Sequence, residues 1–222
     1  MTQSTVPATL HLPGRFRAAV FDMDGLLLDS EPLWHDAERE LLERHGDSFS
    51  EADRIASHGR ALVDTAAAYA ERLGVPASDI EREIGEIMLA HYVGGAPLHI
   101  GARELVDALD GRLPMAIASN TAGVLVRQAL DAVGLGRLQI VASGIDLGSP
   151  KPAPDVYLEA CRLLGVAPAD AIAFEDSPMG IVAAREAGMF VVGVPERGTD
   201  LAAAGADVVL ASLAGVVVAP EI

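Results

Sequence analysis

From residue 100 onward, short apolar runs alternate with helix-length amphipathic patterns, and this rhythm limits the possible folds more than any other feature of the chain. Runs 113–118, 139–142, 171–174, 189–194 and 207–210 read as strands, and 122–133, 154–164 and 177–187 as helices. The last helix opens on Ser177-Pro178, an N-cap followed by proline at the first helical position. Strands that alternate with helices build a parallel sheet covered on both faces. Their Val, Ile and Ala content suits strands buried on both sides. The expected fold class is α/β, a doubly wound parallel sheet.

One further apolar run lies upstream. Ala18-Ala19-Val20 leads into Phe21-Asp22-Met23-Asp24-Gly25, a buried strand that delivers two carboxylates to its C-terminal edge. The glycine then lets the backbone turn sharply. Beyond it the rhythm breaks: 33–44, 51–57, 61–73 and 78–92 offer helical patterns only, and Gly94-Gly95 with Pro97 has the composition of a hinge. An all-helical block after the first strand reads as a separate cap over the sheet's C-terminal edge. The expected organisation is a flexible tail at 1–14, a core formed by 15–30 and 97–222, and a helical cap at 31–96. The tail lacks the basic and then apolar pattern of a secretory signal.

Chemically useful groups stand where the strands end. The run 115–118 ends in Ser119-Asn120-Thr121, Lys151 comes after the next short strand, and 171–174 ends in Glu175-Asp176. In a doubly wound sheet the carboxyl ends of neighbouring strands converge on one crevice, so these groups can meet. Asp22 and Asp24 repel each other, and a divalent cation keeps at least one of them ionised. Each group also has a plainer use. Ser119-Asn120 could cap the following helix, Lys151 could be a solvated loop residue, and Glu175-Asp176 could start a helix.

Composition adds a hint and several exclusions. Lys151 is the only lysine among 16 basic side chains, which marks a place where a compact ammonium is needed and a planar guanidinium is not accepted. A formal charge of −16 argues against nucleic-acid or anionic-membrane binding. No apolar run approaches the roughly 20 residues of a membrane span. The single cysteine, Cys161, fits a reducing cytoplasm and reads as a buried, inert thiol.

The four segments, in this order and spacing, resemble the haloacid dehalogenase superfamily of phosphotransferases. Phe21-Asp22-Met23-Asp24-Gly25 matches the first motif, Ser119 the second, Lys151 the third and Glu175-Asp176 the fourth. The inserted helical block resembles the small cap of the β-phosphoglucomutase-like branch. The stretch from Phe21 to Trp34 is similar to bacterial sugar-phosphate phosphatases of that branch. The resemblance implies a Rossmannoid core and a Mg²⁺-dependent phosphatase acting on a small phosphorylated metabolite, a sugar or polyol phosphate. Asp22 is then the nucleophile, giving an aspartyl-phosphate, and Asp24 the acid and base. Mg²⁺ is held by Asp22, the Asp24 carbonyl and Asp176, with Glu175 either a ligand or an acceptor behind them. Ser119 and Lys151 hold phosphoryl oxygens, with help from the backbone near Met23, Asp24 and Asn120.

In the cap, Arg60 matches a position that commonly faces substrate in this branch, and His58 is a weaker candidate. A sugar-phosphate mutase is the alternative reading. The mutases of the branch carry a histidine where this chain has Trp34, and His35 lies about 100° around the helix from that position, which favours hydrolysis. The cap has no lysine for Schiff-base chemistry, and dehalogenases lack an acid like Asp24. Phosphoryl-signalling receiver domains lack both that acid and the cap. The expected partners exclude nucleic acid and membrane, and the expected assembly is a monomer or weak homo-oligomer in the cytoplasm.

Overall fold

The computed structural model describes residues 10–12, 14–57, 62–195 and 199–219. Among these, six parallel strands form one sheet in the order β4-β3-β2-β5-β6-β7. They are β2 (Ala18–Phe21), β3 (Met115–Ser119), β4 (Val141–Ser143), β5 (Ala171–Glu175), β6 (Phe190–Gly193) and β7 (Val208–Val209). The doubly wound parallel sheet expected from the alternation is therefore present. Side chains one apart in β2 go to opposite faces: Ala19 and Phe21 join one apolar cluster, Ala18 and Val20 the other. Phe21 stacks on Phe174 of the neighbouring strand at 5.0 Å between ring centres, a pair that contributes about 0.5–1.5 kcal/mol beyond its buried area.

Helices α5 (Ala102–Leu109) and α6 (Gly123–Ala132) supply apolar side chains to the first cluster. Helices α8 (Asp155–Leu164) and α9 (Pro178–Glu186) supply the second, and the short α7 (Gly144–Leu147) comes directly after β4. Ser177 caps α9 as expected, its hydroxyl accepting from the Gly180 amide at 3.1 Å, with Pro178 opening the helix.

Between β2 and α5 the chain is helical: α1 (Glu31–Arg44), α2 (Glu51–Ser57), α3 (Leu62–Leu73) and α4 (Ala77–Gly94). Helices α1 and α3 both pack on α4, and α4 in turn lies against α6 of the core. The two chain crossings run side by side. The Asp29 amide donates to the Pro97 carbonyl and the His99 amide to the Leu27 carbonyl, both at 2.9 Å.

One expectation needs correction. The flexible tail expected at 1–14 includes Leu10–Leu12, yet these residues form β1, which pairs in parallel with β8 (Val216–Val218). Leu12 is fully buried there. The segment is too short for a periodic signal and its partner lies at the opposite end of the chain, so only tertiary pairing defines it.

Candidate active site

Register places the chemistry. Phe21 of β2 is level with Ile117 of β3 and Phe174 of β5, so all three strands end at the same edge. The Asp22 amide donates to the Phe174 carbonyl at 3.0 Å, continuing the ladder one residue beyond β2. Ser119 ends β3 level with Ser143 of β4, and the chain beyond β4 returns through α7 to Lys151. Four segments far apart in sequence thus reach one edge of the sheet.

Lys151 is the centre of a buried network. Its Nζ donates to Asp22 Oδ1 and to Glu175 Oε1, each at 2.5 Å, and lies 5.0 Å from the Tyr157 ring centre. Burial works against its charge, but the Asp22 and Glu175 carboxylates outweigh that and hold the ammonium above its ordinary range. A single ammonium compensates only one carboxylate. Burial therefore pushes the Asp22 carboxyl up to about 8, with Lys151 opposing the rise and Glu175 and Asp24 adding to it. The lone-lysine inference from sequence gains a geometric reason: one compact group bridges two carboxylates in a space closed to water.

Glu175 is fully buried and its two oxygens are occupied by the protein. Oε1 accepts from Lys151 and from Tyr157 Oη at 2.7 Å; Oε2 accepts from the amides of Asp176 and Ser177 and from Ser177 Oγ at 3.0 Å. A Cβ on Gly180 would overlap this carboxylate, so the first turn of α9 admits it only because residue 180 is glycine. The sequence leaves Glu175 as either a metal ligand or an acceptor behind the ligands; its five donors anchor it to Lys151 and to the start of α9.

Asp24 accepts three hydroxyl hydrogen bonds, from Ser30, Tyr92 and Thr121. Ser30 stands at the N-cap position of α1, but its hydroxyl serves Asp24 and makes no cap bond. Ser119 Oγ accepts from the Thr121 amide at 3.0 Å and is almost wholly buried. The Asn120 side chain accepts from the Lys151 amide at 2.8 Å, tying the third motif to the second. Asp176 lies against Gly25, whose φ of 85° and missing Cβ let the carboxylate approach the turn after Asp24.

Sequence reasoning missed Tyr157 and Tyr92. Both sit in apolar helical patterns, where an aromatic residue reads as packing. Arg60 and His58 lie outside the described residues. Trp34 is half-buried and packs against the larger apolar cluster, and His35 lies against Phe49 with 6.0 Å between ring centres. A surface hollow of about 340 Å³, bordered by Arg127, Asp131 and Gln139, lies toward the opposite end of β4 from this edge.

The site suits a hard divalent cation. Lys151 holds Asp22 and Glu175, and burial, with Glu175 and Asp24 adding to it, keeps the Asp22 carboxyl high. Among the described residues, no three His, Cys, Asp or Glu side chains gather at metal-ligating spacing.

A family model for haloacid dehalogenase-like hydrolases matches residues 16–188. Validoxylamine A 7'-phosphate phosphatase of Streptomyces hygroscopicus subsp. limoneus is 32% identical over 89% of this chain and 94% of its own length. Fructose-1-phosphate phosphatase YqaB of Escherichia coli is 33% identical over 81% of this chain and 97% of its own. The crystal structure of CbbY from Rhodobacter sphaeroides in complex with phosphate superposes with a TM-score of 0.77 at 29% identity, covering 90% of this chain and 95% of that one. The chain belongs to the haloacid dehalogenase-like hydrolases and is a phosphatase of that family.

Proposed function

We propose that this haloacid dehalogenase-like phosphatase hydrolyses a sugar or polyol phosphate, with Mg²⁺, through an aspartyl-phosphate on Asp22. The observation that carries this reading is the convergence of Asp22, Asp24, Ser119, Lys151 and Asp176 on one sheet edge, with Lys151 bridging Asp22 and Glu175. Relatives that cover nearly the same length are by name phosphatases of validoxylamine A 7'-phosphate and of fructose 1-phosphate, which supports the substrate class.

Each side chain at the edge has its own part in the reaction. An Asp22 oxygen forms a bond to phosphorus while the bond from phosphorus to the alcohol oxygen breaks. The departing oxygen keeps the electron pair and takes a proton from Asp24. Asp24, now a carboxylate, removes a proton from the water that attacks phosphorus; the Asp22–phosphorus bond breaks, and inorganic phosphate leaves. Lys151 and the Ser119 hydroxyl hold equatorial phosphoryl oxygens, where fixed donors favour the transition state. The Asn120 backbone adds to that cradle, and Arg60 is the proposed cap contact to substrate. Mg²⁺ on Asp22, Asp176 and the Asp24 carbonyl would neutralise charge on the phosphoryl group. The helical cap would exclude surplus water and select the alcohol.

A phosphate-release screen across sugar, polyol and nucleoside monophosphates tests this, run with Mg²⁺ and with chelator. Turnover should be Mg²⁺-dependent and highest on a sugar or polyol ester. Preference for nucleotides, or glucose 1-phosphate isomerised faster than hydrolysed, would overturn the reading.

A further inference from the structure

The Asp24 carboxylate is held by hydroxyls from three parts of the chain. Ser30 Oγ, in the first crossing to the cap, donates to Oδ1 at 2.7 Å. Thr121 Oγ1, in the core loop after β3, donates to Oδ2 at 2.8 Å. Tyr92 Oη, near the end of α4, donates to Oδ1 at 2.5 Å. A carboxylate offers about four lone-pair positions. Ser30 and Tyr92 fill those of Oδ1, and Thr121 takes one of the two on Oδ2. One position on Oδ2 is left for a mobile proton.

Tyr92 is fully buried, so its hydroxyl is held to this one acceptor without competition from water. Its helix belongs to the cap, whereas Asp24 and Thr121 belong to the core. The bond therefore joins the cap to the core, as the packing of α4 on α6 also does.

We propose that Tyr92 is a positioning residue for the proton-transfer step: with Ser30 it fixes Oδ1 of Asp24, so that Oδ2 carries the proton to the leaving alcohol. The inference rests on the reading of Asp24 as acid and base. A plainer account treats the phenol as a buried hydroxyl satisfied by the nearest acceptor. Removing the hydroxyl separates the two accounts. A purely structural bond affects all substrates alike. In the step that expels the alcohol, a positioning bond matters only where the leaving oxygen needs a proton.

The test compares Tyr92→Phe with the wild-type Mg²⁺-loaded enzyme on fructose 1-phosphate and on p-nitrophenyl phosphate, whose leaving oxygen is stable without protonation. The expected kcat/KM, which reads the steps up to expulsion of the alcohol, falls about tenfold on the alkyl ester, a fraction of the 10²–10⁴ that general acid catalysis supplies, and changes by less than about twofold on the aryl ester. In an Asp24→Asn background the same substitution should cost nothing further on the alkyl ester. Ser30→Ala, which removes the other Oδ1 donor without touching the cap interior, should move the alkyl ester in the same direction. An equal loss on both esters, or no loss on either, overturns the role of Tyr92. Asp24→Asn that lowers kcat/KM equally on both esters overturns the acid assignment and this inference with it. A loss confined to alkyl esters in Asp24→Asn, beside a silent Tyr92→Phe, overturns the tyrosine's role alone.

Discussion

In the core, Asp22, Lys151 and Glu175 are withdrawn from water and bonded to one another, whereas the cap keeps most of its charge outside, in helix-surface pairs such as Arg44 with Glu40 and Arg82 with Glu86. The first arrangement is costly unless every donor and acceptor is placed, and strand register with the tight turn at Gly25 provides that placement. The second tolerates exchange, since exposed pairs at helical spacing are screened and contribute little individually. The contrast fits the proposed division, with the reaction at the sheet edge and substrate choice in the helical layer. The Tyr92–Asp24 bond is where the two meet.

The contrast breaks most sharply at the nucleophile. Asp22→Asn keeps the shape of the network but removes the attacking oxygen, so turnover should fall on the order of 10⁴-fold or more, read as phosphate release under saturating Mg²⁺. Near-normal turnover would move the chemistry away from β2. Lys151→Arg retains charge yet presents a planar fork to a space shaped for an ammonium between two carboxylates. Its expected loss in kcat is about 10²-fold, the scale of one preorganised donor. A silent arginine would show that the lone lysine was a compositional accident.

Two adjacent carboxylates should separate in kind. Glu175→Gln leaves the Lys151 ammonium with half its partners, and melting should report a loss of about 3 kcal/mol, the lower end for breaking a buried charge pair. The apparent Mg²⁺ affinity should move less. Asp176→Asn should do the reverse, keeping the melting temperature and raising the Mg²⁺ requirement about a hundredfold, since even outer partners of a metal cost 10–100-fold. Matching effects from the two variants would return Glu175 to the metal.

Legibility in the sequence runs along the same division. The strand-end groups are legible because each stands beside a local signal, an apolar run ending in a carboxylate, a hydroxyl or a lone lysine, and sheet topology brings such ends together. Glu175 is located by its strand but its role stays open, because nothing local shows that Tyr157, Ser177 and two amides saturate it. Tyr92 is invisible for a related reason: it lies 68 residues from its acceptor and occupies an apolar helical position, where packing explains it adequately. Leu10–Leu12 escapes notice because a three-residue strand has no period of its own. Helical existence in the cap is readable from periodicity; the direction of its few buried polar groups is not.

The smallest expected effect concerns the exception to the cap's outward charge. Glu38 of α1 is buried and accepts from Tyr69 Oη of α3 at 2.9 Å. Burial raises its carboxyl above the ordinary 4.5, with Asp53 adding to the rise and the Tyr69 hydrogen bond opposing it. A carboxyl raised on folding binds its proton more tightly in the native state. Its contribution to stability is therefore complete below the unfolded value and is lost as pH climbs through the folded one. Glu38→Gln retains an acceptor for Tyr69 and cannot ionise, so it should melt like wild type near pH 4 and above it at pH 7 to 8. The gap should be on the order of 2 °C, given about 2–4 °C per kcal/mol in chains of this size. A gap that stays constant with pH, or one that reverses, would show that Glu38 is ionised on both sides of folding and that the cap, like the core, holds a buried charge.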